Sequence, residues 1–269
     1  MIDEDELDLL LTDLLTVHGY DFTHYSRASI KRRVNRQWVL DKFPSFAELR
    51  YRVRSDTSYL KRFVEGLTVN VTEMFRDPLF YKALRTDVLS SLTAKPFIRI
   101  WHAGCSTGEE VFSMAILLKE AGLLHKSLLY ATDLNPEVLE TARKGIYGLG
   151  IMKQYSENYI LSGGTRDFSD YYTAQYGHVK FSDEFTEKMV FSTHNLVSDR
   201  SFNEFDLILC RNVLIYFDKI LQDHVLRLFD DSLSPLGYLA LGSKETLKFS
   251  GIQSKFKQLA SEKIWRKIS

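Results

Sequence analysis

The chain has 269 residues, 45% hydrophobic and 26% charged, with 35 Lys plus Arg against 35 Asp plus Glu. That is enough to bury one large core or two smaller ones, and zero net charge leaves no global field to recruit nucleic acid or a membrane. Two cysteines, Cys105 and Cys210, are too few for a disulfide scaffold or a zinc site, and the acidic start Asp3-Glu4-Asp5-Glu6 is no signal peptide. With no apolar run of membrane-spanning length, a cytoplasmic protein without membrane insertion or a bound metal is expected.

From Asp5 to Phe80 the periodicity is helical. Leu7, Leu10, Leu11, Leu14 and Leu15 share a face behind an acidic first turn, and Gly19 supplies the stop. A second helix runs from about Arg27 to Lys42. It carries Arg27, Lys31, Arg32, Arg33 and Arg36 with no acid between the first and the last. Such a run is ordinarily a solvated helix face. In a chain of zero net charge, however, these positives outrun any local neutralising partner, so substrate docking on an acidic protein surface is an equal reading. Nucleic acid is not expected, because aromatics are sparse among the arginines. Ser45 caps a third helix reaching Arg54, and Tyr59 to Leu67 forms a fourth. The stretch Thr68 to Pro78 then crowds Asn70, Thr72 and Arg76 among large apolar residues, although capping and turn roles could account for Asn70 and Thr72.

From Lys95 the pattern changes to alternating strands and helices. Pro96 to Ala103 reads as a strand, Gly104-Cys105-Ser106-Thr107-Gly108 as a tight turn, and Glu110 to Ala121 as a helix. The glycines let backbone approach a ligand closely. The spacing is not G-x-G-x-x-G, no Lys follows as a phosphate loop requires, and Glu109 and Glu110 would repel a pyrophosphate. A cationic or zwitterionic nucleoside fits better. The same five residues satisfy G-x-S-x-G, the nucleophile elbow of hydrolases. That reading needs a later acid and then a His, and the last His, His224, lies inside an apparent amphipathic helix.

Ser127 to Asp133 is a second strand, followed by a helix with Pro136 in its first turn. An acid closing the second strand is where nucleoside-binding sheets hold ribose hydroxyls. Asp133 could instead cap the helix, but Asn135 is equally placed to do so. Ile146 to Phe185 breaks the alternation, with a short hairpin around Gly177, and neither His178 nor His194 has a partner at metal-ligand spacing. Strands resume at Met189–Leu196, Phe205–Cys210 and Gly237–Gly242, an amphipathic helix spans Leu221 to Leu233, and the tail from Phe256 to Ile268 closes with an antiparallel pair. The polar residues that interrupt apolar runs, Glu109, Glu110, Asp133, Asn195, Arg211 and Asn212, thus fall at strand C-terminal ends, where open parallel sheets bind ligands.

Four motifs together carry a resemblance: Asn70-Val71-Thr72-Glu73-Met74-Phe75-Arg76-Asp77, Trp101 through Glu110, Ala131-Thr132-Asp133, and Cys210 through Asp218. The chain resembles the CheR-type chemotaxis-receptor glutamate O-methyltransferases over nearly its whole length. The resemblance implies an α/β fold: a doubly wound, mostly parallel, seven-stranded Rossmann-like sheet with an all-α N-terminal domain and a small antiparallel β-subdomain insertion. It places the helical domain at 1–80, its linker motif at 68–78, the methyltransferase domain at 81–269, and the insertion near 165–188. It further implies S-adenosylmethionine as cofactor, S-adenosylhomocysteine as product, and a chemoreceptor's cytoplasmic helical region as partner, with the enzyme a monomer.

For the site, the resemblance implies that Asn70, Thr72 and Arg76 face the cofactor. Gly104 belongs to the cofactor turn, Glu110 with Glu109 meets the methionine part, and Asp133 the ribose. Asn195 and Leu196 lie beside the adenine, Arg211 and Asn212 line the same cleft, and Arg76 and Tyr216 stand closest to the transferred methyl. Three departures stand out: Met74 replaces an aromatic, Gly242-Ser243-Lys244-Glu245 differs from the usual Gly-His-Ser-Glu, and Tyr171 to Phe185 is shorter and poorer in glycine than in relatives that dock on a receptor's C-terminal pentapeptide. Contact through the basic helix is therefore expected in place of tail docking. A non-catalytic cofactor-binding sensor or scaffold, and a methyltransferase acting on nucleic acid or a small molecule, remain as alternatives.

Overall fold

Side-chain caps set the helix starts of the N-terminal region. Asp3 accepts the backbone N–H of Glu6 while Glu6 accepts that of Asp3, a capping box that opens α1 (Glu4–His18), and left-handed Gly19 closes it. The computed structural model describes residues 2–67, 72–259 and 262–268. The chain divides into two compact units, Met1–Val69 with Ile215–His224, and Asn70–Leu214 with Val225–Ser269. In the first, α2 (Arg27–Asp41) turns Ile30 and Val34 inward, and Ser45 caps α3 (Phe46–Ser55). The inward face of α4 (Thr57–Leu67) is Tyr59, Leu60, Phe63, Val64 and Leu67. The segment Ile215–His224 is stitched to this unit by backbone bonds. Ser26 N–H donates to Tyr216 O at 2.7 Å, and Asp218 N–H donates to His24 O at 2.9 Å.

The second unit opens with α5 (Pro78–Ala83), a π turn (Leu84–Val88) and α6 (Leu89–Leu92). There follow β1 (Ile98–Ala103), α7 (Glu109–Glu120), β2 (Ser127–Asp133) and α8 (Pro136–Lys144). Next come β3 (Ile146–Gly148), α9 (Met152–Leu161), β4 (Tyr172–Gln175), β5 (His178–Phe181) and α10 (Asp183–Thr186). The chain continues through β6 (Met189–Thr193), β7 (Phe205–Cys210), α11 (Lys219–Ser232), of which the second unit holds the part from Val225 on, β8 (Leu233–Leu241), β9 (Phe256–Gln258) and β10 (Ile264–Lys267).

Among the described residues the main sheet has seven strands in the order β6-β2-β1-β7-β8-β10-β9. The strands from β6 to β8 run parallel, and β10 and β9 close that edge antiparallel. Strand β1 lies at the reversal of order, with β2 on one side and β7 on the other, so a crevice opens beyond its carboxyl end. The strand β7 is buried along its whole length, as a strand covered on both faces must be. Trp101 fills the space beneath the sheet on one face, ringed by Phe202, Phe205 and Phe229. This is the fold expected from the sequence.

The small sheet runs β3-β5-β4, antiparallel throughout. Its outer strand Ile146–Gly148 lies well before the stretch 165–188. Between them sits α9, inside the stretch whose sequence breaks the strand–helix alternation. Its inward residues are Met152, Tyr155 and Tyr159, while the conspicuous aliphatics Ile160 and Leu161 are exposed. An aromatic inner face with aliphatics outside reverses the usual helical signal.

One carboxylate locks the loops after β7 and β8 together. Buried Glu245 accepts the N–H groups of Asn212 and Val213, each at 2.9 Å, and also that of Gly242. Replacing it by Ala leaves three backbone donors without this acceptor. Glu245→Ala should therefore cost on the order of 3 kcal/mol in urea unfolding. A loss below about 1 kcal/mol would show that water replaces the carboxylate freely.

Candidate functional site

The turn after β1 is shaped by two positive-φ glycines. Gly104 (φ 78°) lies so close to Val213 that a Cβ would come within 2.5 Å of its methyl carbon, and at Gly108 (φ 94°) a Cβ would press on Ala142 at 2.8 Å. Only glycine tolerates both the dihedral and the approach. Asp133, at the end of β2, holds this turn. Its carboxylate accepts Ser106 N–H at 2.9 Å and Asn135 N–H at 3.0 Å. The helix cap is Asn135, whose side chain accepts Glu137 N–H at 2.9 Å. Burial pushes the Asp133 carboxyl above the usual carboxylate range, although the backbone donors work against it.

The paired acids at the start of α7 diverge. Glu109 turns aside, accepting the Thr107 hydroxyl at 2.6 Å, and burial pushes its carboxyl up. Glu110 turns toward the sheet, where His102 Nδ1 lies 2.9 Å from its Oε1 and Arg211 donates to its Oε2 at 3.3 Å. Burial alone would raise Glu110, but the His102 hydrogen bond and then the Arg211 charge hold it below the usual range.

Arg211 is only 3% exposed at its side chain. It also donates to Asp77 at 2.7 Å and to the carbonyl oxygen of Arg76 at 3.0 Å, with its guanidinium 4.1 Å from the centroid of the Phe80 ring. The 72–77 segment is gripped from other directions too. Phe75 N–H donates to Ser113 Oγ at 2.9 Å, and the Asn158 side chain of α9 donates to Met74 O at 3.1 Å. Met74 itself is fully buried, so its change from an aromatic is one of packing.

Asn70 lies outside the described residues. Thr72 and Arg76 are half-buried on the gripped segment, so Arg76, Glu110 and Arg211 are brought together. Asn195 follows β6, with its side chain accepting Val197 N–H at 3.0 Å, and Leu196 beside it is buried. Asn212, at φ 61°, is tied back to Glu245 rather than to Glu110. In the first unit, Tyr216 lies beneath the guanidinium of Arg33, 5.1 Å from its ring centroid.

The charges of α2 require a correction. Arg27 pairs with Glu4 and Asp8, Lys31 pairs with Glu4 at 2.5 Å, and Arg33 donates to Leu67 O at 2.8 Å. The neutralising acids stand on α1, one helix upstream, where a count along α2 alone does not reach. Arg32 and Arg36 are exposed and make no ion pair among the described residues. His102, Asp77, Asn158 and Glu245 were not singled out from sequence. A histidine interrupting an apolar strand two residues before the turn was the one available signal.

An open parallel sheet with a glycine turn at its order reversal and an acid closing the second strand defines a nucleoside-binding methyltransferase fold. The profile described as "CheR methyltransferase, SAM binding domain" matches residues 70–265, and "CheR methyltransferase, all-alpha domain" matches 5–68. The chain belongs to the CheR methyltransferase family. It is 45% identical to a Pseudomonas putida protein named Cher3, covering 97% of this chain and 96% of that one. It is 32% identical to a chemotaxis protein methyltransferase of Listeria innocua, over 85% of each chain, and 33% identical to that of Salmonella typhimurium, over 81% and 73%. The cofactor is S-adenosylmethionine. The residues present fit it: the half-buried carboxylate of Asp133 closes β2 beside the turn of Gly104 and Gly108, burial is offset at Glu110 so that its carboxyl stays below the usual range, and no lysine follows the turn to hold a phosphate.

The two carboxylates oppose each other in their pH linkage. Glu110, depressed in the fold, contributes stability above its unfolded value of about 4.3 that is lost as pH falls through its folded value. Asp133, raised in the fold, costs stability as it ionises with rising pH. The unfolding free-energy gap between the parent and Glu110→Gln should be widest above about pH 5 and shrink toward pH 3. A gap that stays constant across urea melts in that range would contradict the depressed value.

Proposed function

We propose that this protein transfers the methyl group of S-adenosylmethionine to glutamate γ-carboxylates in the cytoplasmic helical region of a chemoreceptor, forming methyl esters in the cytoplasm. The observation that carries the reading is that the two family profiles match residues 5–68 and 70–265 while the segment bearing Arg76 is clamped beside Glu110 through Arg211. Asp133 accepts the ribose hydroxyls, Glu110 faces the aminoacyl end, and Asn195 and Leu196 flank the adenine.

The cofactor supplies an electrophilic methyl on a sulfonium. A glutamate carboxylate, with a pKa of about 4.3, is already ionised at pH 7, so the chain need not provide a general base. Its task is to hold the carboxylate in line and exclude water. Arg76 grips the incoming carboxylate by charge-assisted hydrogen bonds, and Tyr216 orients one of its oxygens through the phenol. Arg32 and Arg36 meet the acidic surface of the receptor's helices, while Arg27 and Lys31 are already engaged with α1. The short hairpin of β4 and β5 does not serve as a receptor-tail dock in this reading.

Binding and turnover should separate. Asp133→Ala should weaken S-adenosylmethionine binding by between several-fold and about a hundredfold in calorimetry. Arg76→Ala and Tyr216→Phe should instead lower methyl transfer to a purified chemoreceptor cytoplasmic fragment far more than they lower cofactor affinity. Parent-rate turnover by Tyr216→Phe would remove the orienting role, and a parent enzyme that binds cofactor yet methylates no receptor fragment would favour a sensor or scaffold.

Steering by α2 carries its own signature. Replacing Arg32 and Arg36 together with Ala should raise the Michaelis constant for the receptor fragment and leave cofactor affinity intact. Added salt should then impair the parent more than the variant, since exposed charges are screened over about 8–10 Å at physiological ionic strength. Parent-like kinetics of the double variant at low salt would make this face merely solvated.

A further inference from the structure

Behind the cofactor turn stands a buried titratable side chain that the reaction above does not use. His102 lies on β1, between Ala131 of β2 and Leu209 of β7, and is 0% exposed. Its Nδ1 is 2.9 Å from Glu110 Oε1. A carboxylate oxygen accepts, so in this contact Nδ1 is the nitrogen that carries the proton and donates. The other ring nitrogen, Nε2, is buried with no hydrogen-bond partner among the described residues. An unpartnered polar atom in a sheet core costs free energy that an aliphatic side chain at the same place would not. Among the described residues, the hydrogen bond that offsets this cost is the one to Glu110. Arg211 holds the second oxygen of the same carboxylate, so both donors come from the sheet side. The carboxylate's remaining lone pairs are left for a ligand in the crevice.

We propose that His102 is a positioning residue for the aminoacyl end of the cofactor, acting through Glu110. Its Nδ1–H fixes the rotamer of that carboxylate, so that Glu110 meets the cofactor's α-ammonium without first having to be ordered. The proposal rests on the assignment of Glu110 to the aminoacyl end made above.

Calorimetry with three ligands tests it: S-adenosylmethionine, S-adenosylhomocysteine, and 5′-methylthioadenosine, which keeps the adenosine and thioether but lacks the aminoacyl group. His102→Leu should weaken the first two about tenfold and leave methylthioadenosine within about twofold. His102→Asn, whose side-chain N–H falls near the position of Nδ1, should recover most of that affinity. His102→Gln, which places its N–H near Nε2, should behave like His102→Leu, and this contrast stands even if the leucine variant fails to fold. In a double-mutant cycle, His102→Leu added to Glu110→Ala should cost nothing further. Equal losses for all three ligands, or additive losses in the cycle, would reduce His102 to a strand-packing residue and overturn the proposal. If Glu110→Ala itself leaves the preference for S-adenosylmethionine over methylthioadenosine unchanged, the Glu110 assignment fails and His102's role with it. If Glu110→Ala abolishes that preference while His102→Leu preserves it, only the His102 proposal falls.

Discussion

The structure of the methyltransferase unit depends on keeping one guanidinium out of water. Arg211 leaves the buried strand β7 with its charge almost wholly enclosed, and such a charge persists in a protein interior only when paired and hydrogen-bonded. Burial works to lower its pKa, yet its interactions with Tyr81 and with the carboxylates of Glu110 and Asp77 hold it above its ordinary value. Each of its contacts therefore fixes something else. Glu110 ties it to the start of α7, while Asp77 and the Arg76 carbonyl tie it to the segment entering α5. Removing one partner of such a set leaves an uncompensated buried charge, at a cost of about 3–5 kcal/mol.

A second constraint converges on the same place. Gly104 packs against Val213 and Ser106 is held by Asp133, so the turn is defined by the loop after β7 on one side and by the end of β2 on the other. Glu245 then fixes the loop that carries Val213. The crevice at the reversal of strand order is thus walled by groups whose own positions are determined by hydrogen bonds to neighbouring strands. Preorganisation of this kind spares the ordering cost on ligand binding.

Much of this was legible in the sequence because it rests on local signals. Ser127 to Asp133 and Phe205 to Cys210 read as strands from their apolar runs and match the structure at both ends. Asn135 as cap and Pro136 in the first turn follow from short-range chemistry. What was missed depends on partners distant along the chain. The acids that neutralise Arg27 and Lys31 lie on another helix, and Asp77 and Glu245 acquire their roles only when the loops they hold are brought together. Helix α9 was hidden because its buried face is largely aromatic, with the Tyr159 ring packed against those of Phe75, Phe168 and Tyr171.

The remaining question is chemical, since the fold and cofactor are common to methyltransferases that make very different bonds. The absence of any need for a base is specific to an acceptor that is already an anion, and the product of methylating one is an ester. Esters, unlike methylated amines or ethers, are cleaved by mild alkali. The most direct measurement is therefore to incubate the enzyme with methyl-labelled S-adenosylmethionine and a chemoreceptor cytoplasmic fragment, isolate the fragment, and treat it with dilute base. Release of the label as methanol is the predicted result, and label that stays on the fragment through alkali would contradict glutamate methylation.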